Sequence, residues 1–349
     1  MSTRVDFGRR VLVLRRRRFA ARFDWRSVVI CSVLALAVAG MAVLALMTGS
    51  FQLSPGEVVS ALTGRTSGLV RDIVVEWRLP RVAAALVFGA ALGVSGAVFQ
   101  STLRNPLADP GIIGFSQGSY TGALIVILVV NGTYWQLVGG ALIGGVATAV
   151  AVYLLAYRRG VQGFRLIIVG IGISAMLGSL NTWLILKADL DQAMAAATWG
   201  AGSLNGVSWP QVAVGGAFIA VLLVLAAMSS RPMRQLELGD DAAAAQGVWV
   251  SAVRLGLIVL GVALTATVTA ASGPIAFISL VAPQIGRRLT RSAGITLAPA
   301  ALVGALLCLA ADYIAQHVAP TPLPVGIITV ILGGGYLGWL LITEARRRL

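Results

Sequence analysis

Apolar residues in this chain fall into ten runs separated by short polar segments. The first is Val28 to Met47; the others cover roughly 80–101, 112–130, 135–156, 166–187, 210–228, 250–271, 274–286, 296–316 and 324–342. About 20 apolar residues cross a bilayer as a helix. The pattern therefore predicts an all-α, polytopic membrane protein of about ten transmembrane helices. One transmembrane domain is expected over 28–345, between a basic N-terminal segment, 1–27, and a basic C-terminus, 346–349. The first run is too long for the apolar core of a cleaved signal peptide, about 7–15 residues, and reads as an uncleaved helix. The run from Pro274 to Gly286 has only 13 residues, which leaves a re-entrant or partial helix open.

Composition agrees: 58% of residues are hydrophobic, 11% are charged and the mean hydropathy is +0.88. Soluble domains carry about 25% charged residues, so soluble enzymes, secreted disulfide domains and disordered chains are excluded. The 41 glycines suit helices packed closely in lipid. Charge then sets the topology. With the N-terminus cytoplasmic and ten crossings, 22 of the 27 basic residues lie inside and five outside, as the positive-inside rule requires. Both termini are thus expected in the cytoplasm. The arginines are scattered between apolar runs, which argues against nucleic acid as a partner. The only lysine, Lys187, follows no glycine-rich loop, so the chain has no Walker A site of its own. Cys31 and Cys308 fall inside apolar runs and give no disulfide or metal site.

Four places break the apolar pattern informatively. Arg78 and Arg81 flank Pro80 at the expected start of the second helix. They serve either as interfacial anchors or as an external charged face. The sequence Arg104-Asn105-Pro106-Leu107-Ala108-Asp109-Pro110-Gly111 cannot form a continuous helix; it is either a tight connection or the lining of a cavity. The loop 229–249 parses as two short helices, with Pro232 starting the first, Gly239 ending it, Asp240 capping the second and Gly247 stopping it. Two ordered helices suggest a docking surface for a cytoplasmic partner, the alternative being an amphipathic pair on lipid headgroups. Asp312 is the one clear ionisable residue inside a run and reads as a satisfied structural group. No catalytic constellation and no metal site are found.

These motifs together resemble a family. Arg78-Leu79-Pro80-Arg81, Asn105-Pro106-Leu107-Ala108-Asp109-Pro110, Leu236-Glu237-Leu238-Gly239, Gly273-Pro274-Ile275-Ala276-Phe277-Ile278 and Leu323-Pro324-Val325-Gly326 occur in order. The chain is similar to the FecCD/BtuC-like permeases of type II ATP-binding-cassette (ABC) importers for iron siderophores, haem and vitamin B12. The stretches Glu76-Trp77-Arg78-Leu79-Pro80-Arg81, Phe164-Arg165-Leu166-Ile167-Ile168, Asn181-Thr182-Trp183 and Gly202-Ser203-Leu204-Asn205-Gly206 look closest to the ferric-enterobactin branch. Gln316, and Gly163-Phe164, depart from the vitamin B12 pattern.

The resemblance implies a ten-helix permease of the inner membrane, with no cofactor of its own and ATP and Mg on a separate ATPase. It implies docking of a substrate-binding protein at Arg78 and Arg81, and a cytoplasmic gate at Asn105, Leu107, Gly163 and Phe164. ATPase coupling is expected through Leu236, Glu237, Leu238, Gly239, Asp240, Asp241, Ala243 and Gly247. A translocation path is expected near Asn181, Asp191 and Trp199, at the interface with a second permease subunit, a heterodimer being the better expectation. The expected cargo is a ferric siderophore; haem, vitamin B12 and an ion-coupled carrier are the alternatives.

Overall fold

A hairpin leads into the first helix: β1 (Val11–Arg16) pairs antiparallel with β2 (Phe19–Asp24), Val11 opposite Asp24 and Arg16 opposite Phe19. It lies in the basic N-terminal segment; among the described residues from Trp25 onward every element is helical, in keeping with the all-α expectation for the transmembrane domain. The computed structural model describes residues 11–16, 19–111, 114–157, 163–318 and 320–348. Much of the basic N-terminal segment, the expected start of the third run at 112, Arg158 and Arg159, and Leu349 lie outside the described residues.

Asp24 starts α1, Trp25–Met47, by accepting the Arg26 amide at 3.1 Å, three residues earlier than the apolar run suggests. Helix α2, Pro55–Leu62, begins with a capping box between Ser54 and Glu57. One turn, α3 (Leu69–Arg71), then passes through a π-helical stretch, Asp72–Arg78, into α4, Leu79–Leu103. Pro80 is therefore not at a helix start, contrary to the sequence reading. The π turn, in which the Leu79 amide bonds the Val74 carbonyl, lets the helix continue through the proline.

The remaining long elements follow the apolar runs closely. They are α5 (Phe115–Ile125, extended by a π-helical turn Val126–Val130), α6 (Tyr134–Ala156), α7 (Gly163–Lys187), α8 (Leu190–Gly200) and α9 (Trp209–Met228). Then come the short pair α10 (Ser230–Glu237) and α11 (Asp240–Ala245), followed by α12 (Val250–Ser272), α13 (Ile278–Thr290), α14 (Leu297–His317) and α15 (Val325–Arg348). Among the described residues, seven helical stretches are long and apolar enough to cross a membrane. The 13 residues of α13 rise only about 20 Å, short of a hydrocarbon core of about 30 Å.

The helix α4 is the hub, and its close partner is α14. A Cβ at Gly89 would overlap the Gly304 carbonyl, one at Gly93 the Ala300 carbonyl, and one at Gly96 the Ser279 carbonyl. This small-residue face lets backbones touch where lipid offers no hydrophobic drive for association. Gly93→Val is expected to force α4 and α14 apart and cost about 1–3 kcal/mol or more by overpacking. A thermal midpoint in detergent equal to that of the unmodified chain would rule this contact out as a close one.

Long-range hydrogen bonds define two ends. At one, the Arg26 Nε donates to the Leu289 carbonyl at 3.1 Å and the Arg104 Nε to the Leu236 carbonyl at 2.8 Å. At the other, the Trp209 indole N–H donates to the Val75 carbonyl at 2.8 Å, and Tyr134 to Ala271 at 3.2 Å. The first end also carries Arg254, Arg287 and Arg288 and is called the basic end below.

Candidate functional site: a cavity between two polar ends

The polypeptide between α12 and α13 is irregular at the depth of the helices. Gly273 leaves α12 with φ 73°, and Phe277 enters α13 in the left-handed region with φ 68°. Non-helical backbone inside a membrane protein persists only where protein covers it or where it lines a cavity. Here it does the latter. Pro274, Ile275, Ala276 and Phe277 form one wall of a cavity of about 900 Å³, faced by Gln117 and Tyr120 of α5, Asn181 of α7, and Ile327 and Val330 of α15. The Gly202 carbonyl accepts the Gly326 amide at 3.0 Å, and the Ser203 amide donates to the Ser272 carbonyl at 2.7 Å. The loop after α8 thus ties α15 to the end of α12.

Of the three residues expected along the path, Asn181 lines the cavity and Trp199 packs on a lining residue, Tyr120. Asn181 is 3% exposed; its carbonyl accepts the Thr121 hydroxyl at 2.7 Å and its amide donates to the Gln117 Oε1 at 3.1 Å. Trp199 stacks on Tyr120 at a centroid distance of 6.0 Å, while the Tyr120 hydroxyl donates to the Ala196 carbonyl at 3.0 Å. Asp191 sits in the first turn of α8, exposed and away from the cavity lining. Tyr120 was not legible as a site residue, because nothing in the sequence pairs it with a tryptophan 79 positions later.

At the end opposite the basic one, Arg78 and Arg81 are both half-buried and engaged within the chain. Arg78 donates to the Leu46 carbonyl at 2.7 Å and the Phe51 carbonyl at 2.6 Å, fixing the exit from α1. Arg81 grips Asp312 with both branches, Nε to Oδ2 at 2.8 Å and Nη2 to Oδ1 at 2.7 Å. Asp312 is thus a satisfied structural group.

The residues expected at the gate lie at the basic end. Arg104 closes α4 in the left-handed conformation, and Asn105 follows with its side-chain oxygen accepting the Leu107 amide at 3.0 Å. Gly163 opens α7. Leu107 and Phe164 are exposed, while their neighbours Ala108 and Leu166 share one buried apolar cluster with Phe99 and Val152. Asp109 is buried; its carboxylate accepts the Ser279 hydroxyl and, at 2.5 Å, the Gly111 amide. Both Asp109 and Ser279 line the cavity.

Beside them the loop 229–249 folds as two helices. Leu236 and Ala243 are fully buried and hold the pair against the main core, while Leu238 and Trp249 stand out, 69% and 83% exposed. Asp241 and Gly247 are also exposed. Glu237 turns inward, its carboxylate accepting the Ser101 hydroxyl at 2.6 Å. Two sequence expectations need correction. The first helix starts at Ser230, two residues before Pro232, which fits the first turn because its missing N–H has no partner there. Gly239, at φ 122°, is the N-cap of the second helix. Asp240 instead pairs with Arg254 at 2.6 Å and with Arg104. The Arg254 hydrogen bond leads in holding the Asp240 carboxyl below the usual carboxylate range, with Arg104 adding to it against desolvation. A depressed carboxyl stabilises above its ordinary pKa and loses that contribution as pH falls through the lowered one. The cluster is therefore intact at neutral pH. Arg254 and Ser101 were not legible because both are unremarkable within apolar runs.

Comparison with known proteins fits this geometry. Residues 33–343 match the FecCD transport family. The ferric enterobactin transport system permease protein FepG of Escherichia coli (strain K12) is 47% identical over 324 residues, 93% of this chain and 98% of that protein. The iron(3+)-hydroxamate import system permease protein FhuG of Bacillus subtilis (strain 168) is 34% identical over 329 residues, 91% of this chain and 97% of that one. A metal-chelate type ABC transporter solved in an inward-facing conformation superposes with a TM-score of 0.79 at 27% identity, covering 90% of this chain and 99% of its own. A family match that spans nearly the whole chain, carried by an apolar bundle around a cavity with a broken helix, places this protein in the FecCD transport family.

Proposed function

We propose that this chain is the permease subunit of an ABC importer that carries ferric siderophore across the cytoplasmic membrane. The observation that carries the reading is the 47% identity to the ferric enterobactin permease along 98% of that protein's length. The cavity supplies the physical counterpart, a space walled by irregular backbone and apolar side chains with a few amide and hydroxyl groups among them. The basic end faces the cytoplasm with both termini, and ten helical elements, α13 included, make up the transmembrane part.

Work is divided between subunits. Two cytoplasmic ATPases hold ATP and Mg and dock on α10 and α11, where exposed Leu238 and Trp249 give the apolar anchors that interfaces favour. A second permease, in a heterodimer, covers the apolar face of α7 and α15 and completes the path past Asn181 and Trp199. A substrate-binding protein delivers the loaded siderophore to the end bearing Arg78 and Arg81. Asn105, Leu107, Gly163 and Phe164 gate the cytoplasmic exit.

Proteoliposomes carrying the assembled complex test this reading. Uptake of radio-iron-loaded enterobactin should require ATP and binding protein, and should survive a protonophore. The tagged chain should retain the ATPase on purification. Uptake driven by an ion gradient without ATP would make the protein a secondary carrier instead.

A further inference from the structure

Arg104 is placed where the end of α4 meets the loop between α10 and α11. Its own backbone is pinned at the end of α4, its amide donating to the Gln100 and Ser101 carbonyls. Its guanidinium reaches across to the loop between α10 and α11, bonding the Leu236 carbonyl through Nε at 2.8 Å and the Asp240 carboxylate through Nη2. Both contacts flank Gly239, the corner of that loop. Ser101, one turn earlier, holds Glu237 at 2.6 Å. An isolated surface ion pair contributes little, but here three contacts from one helix end grip Leu236, Glu237 and Asp240 of the loop.

The chain then runs from Arg104 straight to the cavity wall. Asn105 is tied back by its amide to the Gln100 carbonyl at 3.2 Å, and the Ala108 amide donates to the Asn105 carbonyl at 3.0 Å. Together with the Asn105–Leu107 bond, these make 105–108 a closed turn with little freedom. At its far side Asp109 holds the Ser279 hydroxyl at the start of α13, the short helix that follows the irregular wall. Gln284 reinforces the junction, donating to Gln100 at 2.6 Å and to the Pro106 carbonyl at 3.3 Å.

We infer that residues 104–109 form a rigid arm that transmits movement of the α10–α11 loop to the cavity wall, with Arg104 as the positioning residue at the loop and Asp109 as the positioning residue at Ser279. The arm rests on the reading of α10 and α11 as the ATPase dock. When nucleotide binding shifts that dock, the arm swings the gate turn and the N-terminus of α13 together. Arg254, gripping the same carboxylate from α12, gives the loop a second hold. Loss of Arg104 therefore uncouples the gate and leaves the loop folded.

The test is transport per ATP hydrolysed by the whole complex in proteoliposomes, with radio-iron-loaded enterobactin as probe. Arg104→Gln should retain ATPase on purification, yet lose about tenfold in transport per ATP, a size ordinary for coupling between sites. Arg104→Lys, keeping one donor, should lose less. Asp109→Asn should lose about as much as Arg104→Gln. Independent sites give additive effects, so separate roles predict a double variant about a hundredfold down. A common arm predicts a double variant no worse than the worse single one. Additive losses, unchanged transport per ATP, or loss of the ATPase from Arg104→Gln would each overturn the arm. Failure of the dock reading looks different, because the unmodified chain would then not retain the ATPase at all. Spin labels at Leu107→Cys and Leu238→Cys, with Cys31→Ser and Cys308→Ala, give a second readout independent of transport. Their separation should stay constant when ATP is added, and a shift in it would refute a rigid arm.

Discussion

Asp312→Ala is expected to be among the most destabilising single changes in the chain. The Asp312 side chain is 6% exposed and the Arg81 side chain 19%, and the two meet in a bidentate pair that bridges α4 and α14. Removing the carboxylate leaves a guanidinium partly buried with no counter-charge. Breaking a buried pair from one side costs about 3–5 kcal/mol, whereas replacing both partners by apolar groups is often close to neutral. Arg81→Leu combined with Asp312→Leu should therefore recover most of the thermal midpoint lost by Asp312→Ala alone. Equal loss in the single and double variants would show that the pair contributes packing rather than charge balance. The same pair of variants separates two roles of Arg81. If the binding protein uses this guanidinium, the double variant folds but captures loaded binding protein weakly at low salt. If Arg81 serves only Asp312, folding and capture recover together.

Much of this architecture was legible because lipid makes the pattern strict. Each apolar run became a helix, and the ends differ by a few residues where a cap such as Asp24 decides the start. The length of the short run after Pro274 marked it as a re-entrant or partial helix, and the irregular backbone at 274–277 that precedes α13 was not itself legible. Three other features were not legible either. The helix through Pro80 continues by a π turn, and a sequence that contains proline reads as a start when the turn before it is unseen. Asp240 follows a glycine ahead of an alanine run, so local logic makes it a cap, but two arginines from other helices claim its carboxylate. The partnership of Arg81 with Asp312 spans 231 positions, and neither residue carries a local mark of the other. Sequence reasoning identified Arg78, Arg81 and Asp312 as notable one by one and could not join them. The same limit hid Tyr120 beside Trp199 and Arg104 beside Leu236. In each case the chemistry was visible and the juxtaposition was not.

Gly239→Val is expected to weaken ATPase association while leaving the membrane part intact. Gly239 sits at φ 122° and ψ 153°, between α10 and α11. That region is open to glycine and closed to a β-branched residue. No atom lies within 4 Å of a Cβ built there, so the substitution acts through the backbone and not through a clash. Holding a side chain in such a region costs about 1–3 kcal/mol, which the loop relieves by turning its corner differently. Leu236 and Ala243, buried on either side, keep each short helix seated on the core. What changes is the angle between them, and with it the spacing of Leu238 and Trp249 on the outer face. The chain should therefore reach the membrane at near-normal abundance. Retention of the ATPase and uptake of ferric enterobactin should fall together by about tenfold, the equivalent of about 1.4 kcal/mol. Gly239→Ala, with less side chain to strain, should fall less. This outcome differs from that of Arg104→Gln, which keeps the ATPase bound and wastes its hydrolysis. A Gly239→Val chain that is present at normal abundance, binds the ATPase and imports at the usual rate would remove the loop from the coupling mechanism.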